Sequence, residues 1–161
     1  MKKTYSQIFE MESGILCYDG DKSILLCKAP DGTGKRWVKK IHDINLIETV
    51  TEDARQYYLS CEAGEIEGFF IAINKDTGAT AWFIPGKAYF QILYGDCLYA
   101  IFADERKIFY LIKIERADGR KVWHRQIDED LCEYSFRSDR ILLTYESGKI
   151  EKISPLSGAV M

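Results

Sequence analysis

A chain of 161 residues, 47% hydrophobic and 13% aromatic, has the size and apolar mass of one ordinary packed domain, which excludes intrinsic disorder. Its net charge is −3, and its basic residues are dispersed at Lys2 and Lys3, Lys35 to Lys40 and Arg116 to Lys121. Nothing gathers the cluster that phosphate neutralisation requires, so nucleic acid is not an expected partner. No apolar run approaches the roughly 18 residues that span a bilayer, and the start MKKTYSQIFEMES lacks the apolar stretch of a secretory signal. No membrane partner is expected, and the expected location is cytoplasmic.

Period-two alternation, aromatic and β-branched residues and turn signals predict four strands in each of four units. In the first unit, about 1–43, they fall near 5–12, 14–18, 23–29 and 35–41. In the second, about 44–86, they fall near 45–50, 56–61, 69–74 and 79–84. The third, about 87–128, places them near 88–94, 97–103, 107–115 and 120–127. The fourth, about 129–161, places them near 131–136, 140–145, 149–153 and 158–161. Nowhere does an apolar 3.6-residue period run for about ten residues, so no helix is predicted.

One element recurs at the outer end of each unit. Ala72-Ile73-Asn74-Lys75-Asp76-Thr77-Gly78-Ala79-Thr80-Ala81-Trp82 is a strand, a tight turn and a second strand carrying Trp. It returns at Ile112 to Trp123, more loosely at Pro30 to Trp37, and at Ile153 to Met161 without the Trp. The turn glycines Gly34, Gly78, Gly119 and Gly158 are 44, 41 and 39 residues apart, the period of a four-stranded propeller blade. The predicted fold is therefore all-β, a single domain of four antiparallel blade repeats, with Trp37, Trp82 and Trp123 as structural docking residues.

The run AINKDTGATAW resembles the tryptophan-docking repeat of the pyrroloquinoline-quinone-like β-propellers, whose pattern is Ala-x-Asp-x-x-Thr-Gly-x-x-x-Trp. The resemblance implies that each Trp bridges neighbouring blades. Asn74 replaces the Asp in the second unit, Lys113 and Glu115 replace Ala and Asp in the third, and the first unit is one residue short between Gly34 and Trp37. Quinoprotein dehydrogenases in this family hold their cofactor with adjacent cysteines, and no Cys-Cys pair occurs here, so no cofactor is expected. Such propellers usually have more than four blades, so either four close on themselves or a homodimer completes a larger ring.

Aligning the first strands puts Glu10, Glu48, Gln91 and Glu133 at one position, where innermost strands could present a ring of oxygen ligands to a cation or polar ligand. Single polar residues between apolar ones are also ordinary for strands, and no metal is assigned. The acidic turns at 19–21, 62–67, 104–105 and 128–130 match no calcium-loop spacing and read as turn chemistry. The two histidines, His42 and His124, have no G-x-S-x-G nucleophile to partner. The five cysteines, Cys17, Cys27, Cys61, Cys97 and Cys132, form no CxxC pair and read as free thiols. Adjacent aromatics at Tyr57-Tyr58, Phe69-Phe70, Tyr89-Phe90 and Phe109-Tyr110 read as core, and any exposed in a patch would mark a partner surface. The expected function is non-catalytic binding or scaffolding of a protein or small polar ligand. The rivals are an enzyme whose carboxylates meet in the channel and a half-propeller acting as a homodimer.

Overall fold

The computed structural model describes residues 6–161; Lys2, Lys3 and Tyr5, where the sequence places a basic start and the head of the first strand, lie outside the described residues. Among the described residues there are fifteen strands and no helix. The first sheet holds β1 (Ser6–Met11), β2 (Gly14–Asp19), β3 (Ile24–Lys28) and β4 (Lys35–Lys40) in sequence order. The second holds β5 (Leu46–Glu52), β6 (Gln56–Glu62), β7 (Gly68–Asn74) and β8 (Thr80–Pro85). The third holds β9 (Ala88–Tyr94), β10 (Cys97–Ala103), β11 (Phe109–Glu115) and β12 (Lys121–Ile127). The fourth has three strands, β13 (Leu131–Phe136), β14 (Ile141–Tyr145) and β15 (Ile150–Ile153). The strand expected at 158–161 is reduced to a single bridge between Val160 and Ile153.

The sheets fall into two compact units. One runs to Ala88 and takes in the turn Ala117–Gly119; the other comprises Tyr89–Arg116 and Arg120–Met161. In the first unit the core lies between the first two sheets, where Leu16, Tyr18, Leu25 and Cys27 meet Ile47, Tyr57, Leu59, Cys61 and Ile73. The Gln7 amide joins the innermost strands of these sheets, accepting from Ile47 N–H at 2.9 Å and donating to its carbonyl at 2.7 Å. In the second unit Tyr99, Leu111, Trp123, Ile141, Leu143, Tyr145 and Ile153 form the core.

The recurring turn carries the tryptophan contacts inside each compact unit. In the second sheet Asn74 Oδ1 accepts from Asp76 N–H at 2.9 Å and Thr77 N–H at 3.1 Å, and Gly78 N–H returns to the Asn74 carbonyl at 2.9 Å. Gly78 has φ +77° and lies under the Trp37 ring, where a Cβ would stand 2.7 Å from Cδ2 and Cε3. The Trp37 indole N–H donates to the Lys75 carbonyl of the same turn at 2.7 Å. In the second unit Trp123 repeats this, lying over Gly158 and donating to the Pro155 carbonyl at 2.9 Å. Trp82 lies over Gly119 of the turn that belongs with its own unit. A bulge next to the Trp pairing, at Cys27/Lys28, Ala72/Ile73 and Lys113/Ile114, recurs in the first three sheets.

Pairing also explains the irregular first unit. Lys28 pairs with Lys35 as Ile73 pairs with Thr80, so the two turns have one length, and Ala29 N–H is shared between the Thr33 and Gly34 carbonyls at 3.3 and 3.4 Å. Gly34 therefore takes the place of Ala79, and Thr33 that of Gly78. The spacing to Trp37 is regular, while inside the turn the Ala29 carbonyl accepts from Gly32 N–H at 2.9 Å where that of Asn74 accepts from Gly78 N–H.

Burial separates the sheets. Tyr57 to Cys61 in β6 and Leu98 to Phe102 in β10 are buried without a break, so both faces of those sheets are covered. By contrast, β2 and β14 alternate buried and half-buried positions, so one face of each remains open.

Candidate functional site

The four first-strand polar residues do not share a register. Glu10 pairs with Ile15 and is exposed. Glu48 is the extra residue of a bulge in β5, and its carboxylate lies 3.6 Å from Lys87 Nζ, which also pairs with Glu62 at 3.2 Å. Glu133 pairs with Thr144 and is exposed, and Gln91 is half-buried on β9. Aligned through the turns, Glu10 falls level with Glu52 and Phe136, and Glu133 with Gln7 and Thr49. Among the described residues no group of three or more His, Cys, Asp or Glu side chains is placed to hold a metal ion. His42 is exposed in a loop; His124 is exposed on β12, with its ring edge-on to Tyr110 at 5.8 Å.

The most heavily buried carboxylate is one the sequence did not mark. Glu151, on β15, accepts from the Tyr145 hydroxyl at 2.5 Å and pairs with Arg125, while Lys149 stands 3.7 Å away. Burial raises its proton affinity, but the hydrogen bonds from Tyr145 and Arg125 outweigh that and hold its carboxyl below the usual carboxylate range. Burial, with the Glu151 carboxylate beside it, raises the Tyr145 phenol well above its ordinary value. With both oxygens engaged, this cluster fixes β15 rather than offering a free acid or base.

All five cysteines are free thiols: Cys27 and Cys61 buried, Cys17 and Cys97 half-buried, Cys132 exposed. Of the adjacent aromatics, Tyr57, Tyr58 and Phe70 are buried, and Phe69, Tyr89, Phe90, Phe109 and Tyr110 are half-buried. They pack as core edges, as in the 5.0 Å contact of Phe69 with Phe83.

The open surface lies elsewhere, on the outward face of the first sheet. While Leu16, Tyr18, Leu25 and Cys27 point into the core, the alternate residues Ile15, Cys17, Ile24 and Leu26 point away from it. They join Ile8 and Val38, which are 71% and 47% exposed. A groove of about 630 Å³ runs over this face, lined by Ile8, Cys17, Ile24, Leu26 and Val38, with Lys22 and Lys35 among its polar lining residues. Two neighbouring strands that are apolar on both faces were the only signal, and an internal sheet gives the same pattern.

No protein-family model and no curated protein matches the sequence. Solved structures do match. BamB from Moraxella catarrhalis is 16% identical, with a TM-score of 0.64 over 96% of this chain and 46% of its own. A europium-containing methanol dehydrogenase is 8% identical, with a TM-score of 0.65 over 99% of this chain and 42% of its own. The computationally designed Ika4 protein is 6% identical, with a TM-score of 0.64 over 94% of this chain and 91% of its own. The chain thus spans less than half of the first two. At these identities the likeness concerns fold, and it agrees with the sheet topology: the chain is an all-β assembly of antiparallel, propeller-like blades.

Proposed function

We infer that the chain is a non-catalytic interaction module that binds a protein through the outward face of its first sheet. The observation that carries this reading is the contrast between sheets. The central strands β6 and β10 of the second and third are buried on both faces, whereas the first sheet leaves Ile8, Cys17, Ile24, Leu26 and Val38 open or half-open along one groove, with half-buried Ile15 on the same face. A contiguous apolar face rimmed by charged residues is what protein contacts use. The blade framework supports it, because a sheet anchored by Trp37 and Gln7 on its other side is a rigid platform.

A photo-cross-linking residue at Val38, compared with one at the similarly exposed Phe83 of β8, tests this. Discrete adducts are expected from Val38 alone, and Leu26→Glu is expected to abolish them. Equal, diffuse adducts at both positions would refute it.

A further inference from the structure

We propose that the occupant of the first sheet's open face is a second copy of this chain, presenting the open face of its fourth sheet. This rests on the docking reading above and names the partner.

The argument comes from the repeat itself. Inside the first unit, the first sheet offers one face, carrying Gln7, Leu16, Tyr18, Leu25, Cys27 and Trp37, to the second. The second meets it with Val50, Tyr57, Leu59, Ile71 and Ile73. Pairing registers carry both sets to the open faces. Val50, Tyr57, Leu59, Ile71 and Ile73 correspond to Ile8, Ile15, Cys17, Leu26 and Lys28 in the first sheet. Gln7, Leu16, Tyr18, Leu25 and Cys27 correspond to Glu133, Leu142, Thr144, Ile150 and Lys152 in the fourth. One chain therefore carries counterparts of both halves of the contact that it already makes internally, with lysines in the places of Cys27 and Ile73 and no tryptophan in the place of Trp37, and both are exposed: Ile150 is 65% and Ile8 71% accessible.

Two local features agree. Glu133 occupies the place from which Gln7 reaches across to the Ile47 backbone, so an acceptor stands ready at that point. The turn at 30–34 is exposed throughout, Thr33 included, which takes the place that Gly78 holds under Trp37. The first sheet thus presents the receiving side of a blade contact with nothing on it. Each contact joins two different faces, the first sheet of one copy and the fourth sheet of the other, so in a pair it is made twice.

Light scattering on the full chain, with Leu26→Glu on one face and Ile150→Glu on the other, tests the pairing. The parent is expected at about 37 kDa, twice the 18.6 kDa chain, and each variant at the mass of one. An equimolar mixture of the two variants is expected to regain pairs, since it contains one intact contact. Alkylation of Cys17, which lines the groove, should slow as parent concentration rises but not in Ile150→Glu; an unfolded variant would instead expose buried Cys61. A parent that stays monomeric at about 100 μM, a concentration that saturates micromolar contacts, overturns the inference while leaving a different partner for the face. Loss of pairing with Leu26→Glu alone, and no rescue on mixing, overturns it in favour of first sheets meeting each other. A dimer indifferent to both variants overturns the inference, and the docking reading then stands or falls by the Val38 cross-links.

Discussion

Substituting Gly78→Ala tests the tryptophan contact directly. The residue has φ +77°, and an added Cβ would stand 2.7 Å from two carbons of the Trp37 ring. The ring cannot easily retreat, because its indole N–H is held by the Lys75 carbonyl at 2.7 Å and it is buried in the first unit's core. The left-handed backbone costs alanine about 1–2 kcal/mol, and forcing a methyl into a packed site costs about 1–3 kcal/mol more. The expected loss is therefore about 2–5 kcal/mol. Gly34→Ala is the control, since φ is +66° there but no atom lies within 4 Å of the new Cβ. It should carry only the strain, offset by about 0.4–1 kcal/mol from the stiffer unfolded chain. Urea unfolding followed by far-ultraviolet circular dichroism measures both. In a Trp37→Ala background the cost of Gly78→Ala should fall to that of Gly34→Ala. If the two alanine variants differ by less than about 0.5 kcal/mol in the parent, the ring is not seated on the turn as described.

Three other outcomes are expected. Trp123→Ala should destabilise by about 3–5 kcal/mol, since it removes a buried ring and its bond to the Pro155 carbonyl; a loss below about 1 kcal/mol in chemical denaturation would show that the ring is no anchor. The Glu151 carboxyl is held below its ordinary value in the folded state, so the unfolded chain binds more protons in the acid range. The stability it contributes is present above the ordinary carboxylate value and is lost as pH falls through the folded one, and Glu151→Gln should flatten that part of a melting-temperature profile against pH. Thiol labelling of the native protein should reach exposed Cys132 first and Cys61 last, because burial removes access and pushes the Cys61 thiol upward; early modification of Cys61 would contradict the packing.

The strand order and nearly every strand position were legible in the sequence. Alternation and turn chemistry are local: Asn74 and Gly78 encode their turn through bonds made within five residues. The spacing of Trp82 and Trp123 likewise announced a repeat without any tertiary information. Register was less legible. The shift of glycine from the Thr33 place to Gly34, and the bulge that makes Glu48 an extra residue, change which positions correspond without changing the apolar pattern. An alignment by composition therefore joins Glu10, Glu48 and Glu133, whereas hydrogen bonding assigns them to different levels.

The open face was decided only by tertiary structure. Ile15, Cys17, Ile24 and Leu26 read as core because they are apolar and alternate with other apolar residues, as their counterparts Tyr57, Leu59, Phe69 and Ile71 do. Strand alternation specifies that a face is apolar, while whether a neighbouring sheet covers it depends on packing between sheets, which no local spacing records.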